Sequence, residues 1–523
     1  MKRRTFLTTG FSAAALMQAP RTVLAASGLA GSDEARATRS RTAAFVHELA
    51  RSLSRRPFQA PPQRLPKALA NLDYDQYREV RFRPEKAIWY KEDLGFELQL
   101  FPSAYIYRSA VSIFLVDGGR IRRLGANASL FDFGALQKSI PRGSQVGFSG
   151  FRIHAPINRR DRYDEFMVFQ GASYFRGLGK DHRYGLSARA LALDTTGEAP
   201  EEFPLFRSFW IERPDTPQSI TVHALLDSPS VTGAYTFVIK PGRDTLMDVT
   251  ATLFPRRDLT NVGITPLTSM FLKTAHDPYG PLDFRPSVHD SDGLAAWNGR
   301  DERLWRPLLS PSTLQTSAFR DNNPKGFGLI QRERRFDDYQ DLEANYELRP
   351  SAWITPKADW GPGAVELVEI PTDVEYFDNI VAYWRPDAVL SAGRAYDLSY
   401  SLTWCNDVPA SERMRVQKTR LGAGSRPGTL RFVIDFAETR ATERLADSAA
   451  ILSDATPAAF LEPDLTASAG TLSGPFIQPN PHLPGPRVVF ELDPGEATVI
   501  ELRLALSAQG EPMSETWLYR WCA

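Results

Sequence analysis

Reactive side chains crowd into two stretches of the chain. Residues 283–308 read DFRPSVHDSDGLAAWNGRDERLWRPL and bring Arg285, His289, Asp290, Asp292, Trp297, Arg303, Trp305 and Arg306 into one turn-rich region. Residues 334–384 add Tyr346, Arg349, Trp353, Trp360, Glu375, Asp378, Tyr383 and Trp384. Polar groups this dense beside aromatics are costly to maintain unless a ligand meets them. Solvated loops are the alternative, although Trp and Tyr are poor loop fillers. Asp378 is the sharpest case, because it stands directly ahead of the apolar run IVAYW, which reads as a buried strand. Partial desolvation at the mouth of such a strand would raise a carboxyl pKa and keep it protonated near neutrality, as a general acid requires. A strand-start aspartate closing an Asx-turn is the plainer account, and the residues alone favour it.

Other acids invite the same comparison. Asp290 and Asp292 lie two apart and would face the same side of a strand, or either closes a turn with Ser291 and Gly293. Glu375, three residues before Asp378, would orient a ligand or tune that acid by like-charge repulsion, or is a solvated surface glutamate. The fragment HDSDGL shares D-x-D-G with calcium loops but lacks the further ligands and the late bidentate Glu. The 7 histidines are scattered and no Cys or His cluster has zinc-ligand spacing. No metal or other cofactor is expected.

The elements that must hold these groups are strands. The chain has 523 residues, 42% of them hydrophobic, enough for one large core and a smaller one. A short helical pattern, RTAAFVHELARSLSRR, precedes residue 58. From about residue 79 the period becomes two, in EVRFRPEKAIWY, FELQLFP, VSIFLVDGGRIRRL, EFMVFQGASYF, YGLSARALALDT, SITVHALLD and GAYTFVIKPG. Turn signals separate these runs and no helix alternates with them, which predicts an all-β fold, a large antiparallel sandwich over 43–405 ending with AYDLSYSLTWC. The polar stretch 406–417 reads as a linker. The strands GTLRFVIDFA, RVVFELDPG, TVIELRLALSA and ETWLYRWC then make a module of immunoglobulin-like size over 418–523.

Charge and export narrow the partners. Lys plus Arg and Asp plus Glu each number 62, so no nucleic-acid track is expected and a neutral partner fits. Aromatics make up 11% of the chain, many beside Arg, Asp and Asn, a mixture that suits sugar faces as well as cores. Residues 1–26 carry Arg3 and Arg4, a short weakly apolar stretch and small residues before Ala25 and Ala26, the pattern of a twin-arginine export signal followed by a flexible lead-in over 27–42. The apolar stretch is too short to span a bilayer, so the expected location is the periplasm, without a membrane span. Cys405 and Cys522 could pair in that oxidising compartment, but two free thiols are the favoured reading.

The segments DEFMVFQGASYFRGLGKDHRYGLSARALALDT, FRPSVHDSDGL, WRPL, NPKGFGLIQRERRFDDYQDLEANYELRPSAWITPKADWG, VELVEIPT and DNIVAYW resemble the periplasmic glucan biosynthesis proteins OpgG and OpgD, in order, over most of residues 40 to 520. The twin-arginine leader points to the OpgD-like branch. The resemblance implies a galactose mutarotase-like β-sandwich joined to an immunoglobulin-like domain, and a role in osmoregulated periplasmic glucan biosynthesis. It also implies control of the glucan backbone by inverting, endo-type cleavage of β-1,2-glucan. Glycoside cleavage needs an acid for the leaving oxygen and a base for water on the other face of the sugar. By resemblance Asp378 is the acid, reversing the Asx-turn reading, and Asp290 the ultimate base, reached through Tyr346 and a substrate hydroxyl; Asp292 is the alternative base.

Subsites for several glucose units would draw on Trp297, Trp305, Trp353, Trp360, Tyr383 and Trp384 for stacking and on Arg285, Arg306 and Arg349 for hydroxyls, with half of these in the core instead. Tyr383 and Trp384 are adjacent in a strand and point to opposite faces, so at most one lines a given cleft. Transfer of the cleaved chain to a sugar hydroxyl, closing a ring, uses the same groups. A non-catalytic glucan-binding scaffold for the inner-membrane glucan synthase is the reading from another class. A homodimer is compatible with either.

Overall fold

The computed structural model describes residues 41–523 apart from 64, 141–142, 198–199, 278–281, 410 and 438–459. The export signal read at 1–26 and the lead-in up to residue 40 lie outside the described residues. The helical pattern appears as Arg41–Ser54, whose buried face, Val46 and Ala50, packs on Trp210, Leu225, Ala234 and Phe254. Alternation in sequence becomes alternation in burial: along Tyr396–Cys405 every second residue is buried until the last pair. The hairpin in VSIFLVDGGRIRRL turns at Gly118 and Gly119, both with positive φ, 54° and 83°, which glycine adopts without a Cβ penalty.

Two large sheets face each other, as the alternating pattern predicts for an all-β sandwich. The first has ten strands and runs from Glu97–Pro102 through Phe148–Arg159, Arg162–Gln170, Tyr174–Gly177 and Ser187–Arg189 to Val262–Ser269, Ile380–Pro386, Pro362–Glu369 and Gln315–Asn322. The second has fifteen, with Thr245–Pro255 central between Val231–Lys240 and Tyr396–Cys405. Aromatic rings fill the space between them. Phe169 of the first sheet lies 5.7 Å from Phe209 and 5.3 Å from Phe237 of the second, edge to face.

Three features differ from the sequence expectations. The stretch EVRFRPEKAIWY contributes only the two-residue strand Arg81–Phe82 before a 3₁₀ turn at Pro84–Lys86, because Pro84 cannot donate to a ladder. Not every pair is antiparallel, since Leu205–Glu212 runs parallel to Ser112–Asp117. The C-terminal module, finally, shares a sheet with the sandwich. Arg415–Gln417, at the end of the 406–417 stretch, open the strand Arg415–Ala423. The long sheet continues from the sandwich into the module through the parallel pair Arg303–Pro307 and Thr516–Cys522, with Leu304 opposite Thr516 and Trp305 opposite Trp517. The module's own five-stranded sheet packs Phe432, Ile434 and Phe490 against Leu502, Leu504 and Trp517 of that continuation. Cys405 is buried, Cys522 partly so, and both are free thiols.

Candidate active site

Asp378 is placed by its neighbour. The buried Asn379 accepts a hydrogen bond from the Phe271 amide at 2.9 Å and donates to the Phe271 and Ile370 carbonyls at 2.9 and 3.1 Å, stitching the end of the 371–379 loop to the adjoining backbone. The strand Ile380–Pro386 begins beyond it. Asp378 is left outside the stitch, its side chain 32% exposed and its Oδ2 3.6 Å from Nη2 of Arg176, which comes from the strand Tyr174–Gly177. The surroundings are therefore solvent and a guanidinium, not the desolvating strand mouth expected from sequence. Asp378 and Arg176 line a cleft of about 560 Å³ with Phe101, Tyr107, Tyr174 and Tyr184.

On the buried side stands Asp290. The short strand Val288–His289 pairs with Phe271–Lys273, and the Asp290 amide donates to the Met270 carbonyl at 2.8 Å. Its carboxylate receives Nη1 of Arg349. Burial pushes the Asp290 carboxyl above the ordinary carboxylate range against the pull of Arg349, and the charge of Asp378 adds to the rise. A carboxyl so raised holds a proton more readily than a surface aspartate, as an acceptor working near neutrality must. Arg349 is accommodated by Gly185, where a Cβ would come within 2.9 Å of the Arg349 Cβ.

Tyr346 reaches the same place through a local turn. Asp341 Oδ1 accepts the amides of Glu343 and Ala344 at 2.9 and 2.8 Å, and Asn345 takes the left-handed conformation at φ 49°, which Asn tolerates better than most residues. The next residue, Tyr346, is thereby turned inward and buried under the Arg349 guanidinium, 4.1 Å from the ring centroid. Its hydroxyl donates to Oε2 of Glu375 at 3.2 Å. Burial raises the Tyr346 pKa, so the phenol keeps its proton. Glu375 is gripped in turn by Arg285 at 2.6 Å, and Arg285 also holds Asp283 at 2.7 Å and Asp341 at 2.8 Å. One guanidinium thus ties three loops.

Of the predicted residues, then, Asp378, Asp290, Tyr346, Arg349, Glu375 and Arg285 come together. Asp292 does not share a face with Asp290. The two sit on a bend rather than within one strand, and Asp292 Oδ2 accepts the amides of Arg332 and Glu333 at 3.0 and 3.2 Å while Oδ1 is buried without a hydrogen-bond partner. Burial, with Glu333 nearby, pushes it up to about 7. Trp305 and Trp353 are buried in the core shared with the C-terminal module, and Trp297 packs at its edge under Arg303 and Lys325. Gly293 makes room for Trp305, whose ring a Cβ there would meet at 2.1 Å. Trp360 lies in the sandwich core against Trp384 and Tyr400, and Tyr383 is buried beside Val368 and Val381. Arg306 is buried against Glu369 at 3.1 Å. These rings and this guanidinium are turned to packing rather than to the cleft.

Sequence reasoning missed three positions. Gln331 Nε2 donates to the carbonyls of His289 and Tyr346 at 3.0 and 3.2 Å and its Oε1 accepts from His289 Nδ1 at 2.9 Å, so it joins the backbone behind both Asp290 and Tyr346. Arg176 and Asn379 were the others; each lay inside a quoted motif, Arg176 in ASYFRG and Asn379 in DNIVAYW, but only the tertiary contact distinguishes them. Among the described residues no group of three or more His, Cys, Asp or Glu side chains could hold a metal ion, and no helix is long and apolar enough to cross a membrane.

Residues 42–521 match the family model described as periplasmic glucan biosynthesis protein, MdoG. Similar proteins named glucans biosynthesis protein G include one from Vibrio cholerae serotype O1, 48% identical over 482 residues that cover 91% of this chain and 86% of the relative. Another, from Shewanella frigidimarina, is 47% identical over 483 residues, covering 91% and 84%. A third, from Rhodopseudomonas palustris, is 46% identical over the full length of both chains. All three bear the G name, so the OpgD-like branch rests on the leader alone. The match along nearly the whole folded chain makes this chain a member of the periplasmic glucan biosynthesis family, with a role in glucan biosynthesis.

Proposed function

We propose that the protein controls the backbone of a periplasmic glucan by cleaving β-1,2 linkages within the chain, with inversion. The observation that carries this reading is an exposed carboxyl on the wall of a cleft, Asp378, together with a second, enclosed carboxyl, Asp290, held by the Arg349 that also covers the Tyr346 ring. A pure binder has no chemical use for both. Asp378 donates a proton to the leaving oxygen; a sugar seated in the cleft would displace the water around it and supply the desolvation a general acid needs, and the solvent side allows reprotonation after each turn. Asp290 is the ultimate base.

Water does not need to touch Asp290 directly. Tyr346, kept protonated by burial, lies under the same Arg349 that holds Asp290, and its hydroxyl donates to Glu375. A substrate hydroxyl entering between Tyr346 and Glu375 would complete a proton path from water to Asp290, as an inverting reaction requires of its base. Arg176 and Arg349 hold the two carboxylates apart in role, one accessible and one enclosed.

Incubation of the purified protein with linear β-1,2-glucan tests the reading. New reducing ends are expected, and the anomeric configuration read by NMR in the first minutes should be inverted. Products without new reducing ends would identify transfer with ring closure, which uses the same acid and base. Polymer unchanged at every pH would leave only the scaffold that binds glucan for the synthase.

A further inference from the structure

The three loops tied by Arg285 share a second property. Beside each anchored carboxylate they display a large apolar side chain: Phe284, 81% exposed, follows Asp283; Leu342, 83% exposed, follows Asp341; and Tyr376 and Phe377, 78% and 59% exposed, follow Glu375. Exposed apolar residues scattered singly are ordinary, but a cluster on anchored loops marks a surface that meets something. The Tyr376 and Phe377 rings are 5.0 Å apart between centroids, and the loop bearing them is fixed at one side by Glu375 on Arg285 and at the other by the buried Asn379.

The rim alternates apolar side chain with charge, Glu375, Tyr376, Phe377, Asp378 on one loop and Asp283, Phe284, Arg285 on another. A protein partner laid on such a rim would have to desolvate the carboxylates between the rings. A pyranose chain fits the alternation, since each sugar offers an apolar face for a ring and a hydroxyl edge for the neighbouring carboxylate. Resting on the glucan reading above, we infer that Tyr376 and Phe377 form a stacking platform at the rim of the cleft, extended by Phe284, which takes glucose units of a long chain beyond those held at Asp378 and Asp290. Long chains are thereby preferred over short ones, and the platform sets where along a chain the protein engages.

Calorimetric binding of a long linear β-1,2-glucan and of a β-1,2-linked disaccharide tests this, using Asp378→Asn protein so that chains are not consumed. The Asp378→Asn protein is expected to bind the long chain more tightly. Adding Tyr376→Ala and Phe377→Ala should weaken the long chain about ten-fold, which is the loss of roughly 1.4 kcal/mol of stacking, and shift the disaccharide much less, with the melting temperature unchanged because both rings are exposed. Tyr376→Trp with Phe377→Trp should restore the preference for length. An unchanged length preference in the alanine variant, equal loss for both ligands, or an intact affinity with an altered mass in sedimentation, the last pointing to a protein contact, each overturns the platform while leaving the glucan reading standing. Failure of the Asp378→Asn protein to bind either glucan overturns both.

Discussion

The cleft and the junction with the C-terminal module are built from the same kinds of residue, charged groups beside aromatics, and they use them oppositely. At the cleft the charges keep a face toward solvent: Asp378 looks across at Arg176 along an open wall, and Glu375 is shared between Arg285 and a tyrosine hydroxyl. At the junction they are enclosed. Arg332 pairs with Glu515 at 2.8 Å, both buried, and its guanidinium lies 3.5 Å from the centroid of Trp305, while Glu515 also accepts the Val416 amide at 3.0 Å. Asp290 and Asp292, two residues apart, are both buried, and the divide runs between their partners: Arg349 beside Tyr346 for the first, the amides of Arg332 and Glu333 at the junction for the second. Density of polar and aromatic residues in a sequence therefore marks places where charge is held in a low-dielectric setting, and does not say whether it is held for a ligand or for another layer of the same protein.

Substitutions on either side of the divide should separate the two uses. The largest effect is expected from Asp378→Asn, which keeps shape and removes the transferable proton. Turnover of β-1,2-glucan should fall by roughly 10²- to 10⁴-fold with the thermal midpoint nearly unchanged; near-normal turnover would return Asp378 to the role of a turn-closing residue. On the junction side Glu515→Gln strands the Arg332 charge, and a loss of about 3–5 kcal/mol in denaturant unfolding is expected with little change in turnover per folded molecule. Trp305→Ala should behave alike, costing about 3–5 kcal/mol. A specific rise in KM at full stability would instead make Trp305 a sugar subsite.

A smaller effect reads out as pH dependence. Asp292 in the folded protein holds its proton up to about pH 7, whereas its ordinary value is 3.8. Between those limits the folded state binds the extra proton, so this group's contribution makes stability fall as pH rises, and above about 7 it falls no further. Asp292→Asn should flatten that slope, by no more than about 1.4 kcal/mol per pH unit for one proton. Glu333, raised in the same direction by burial, keeps part of it. A slope unchanged in Asp292→Asn would remove the buried-acid account of the junction. The smallest change is expected from chelator: the acids of HDSDGL are already engaged, Asp290 by Arg349 and Asp292 by the amides of Arg332 and Glu333, so turnover should be unaffected, and strong inhibition would reopen the reading of that stretch as a metal loop.

Much of the scaffold was legible in the residues. AYDLSYSLTWC alternates because one face of Tyr396–Cys405 meets the opposing sheet, and two glycines between alternating runs mark the hairpin at Gly118 and Gly119. The acids proposed for the site stand in the family motifs, so they could be named from the sequence. The stacking residues could not. Trp305, Trp353, Trp360 and Tyr383 look in sequence like the aromatics that line a sugar cleft, yet all four are buried by other elements, while Tyr107 and Tyr174, which line the cleft, sit in runs that read as ordinary strand or turn.

The reason lies in the range of the interactions. Strand identity, turn positions and the inward or outward parity of each side chain follow from neighbours within a few residues, so the sequence by itself determined an all-β chain with its acids at strand ends. Which face of a strand is covered depends on what packs there, and for Trp305 that is Thr516–Cys522 from the far end of the chain, which extends the long sheet and closes over the ring. Asp290 becomes an enclosed acid only when Arg349, Met270 and the Gln331 side chain converge behind it, and Asp378 an accessible one only because Arg176, two hundred residues earlier, stands across the cleft. Tertiary structure alone decided which charges face solvent, and with that which residues are free to meet a glucan.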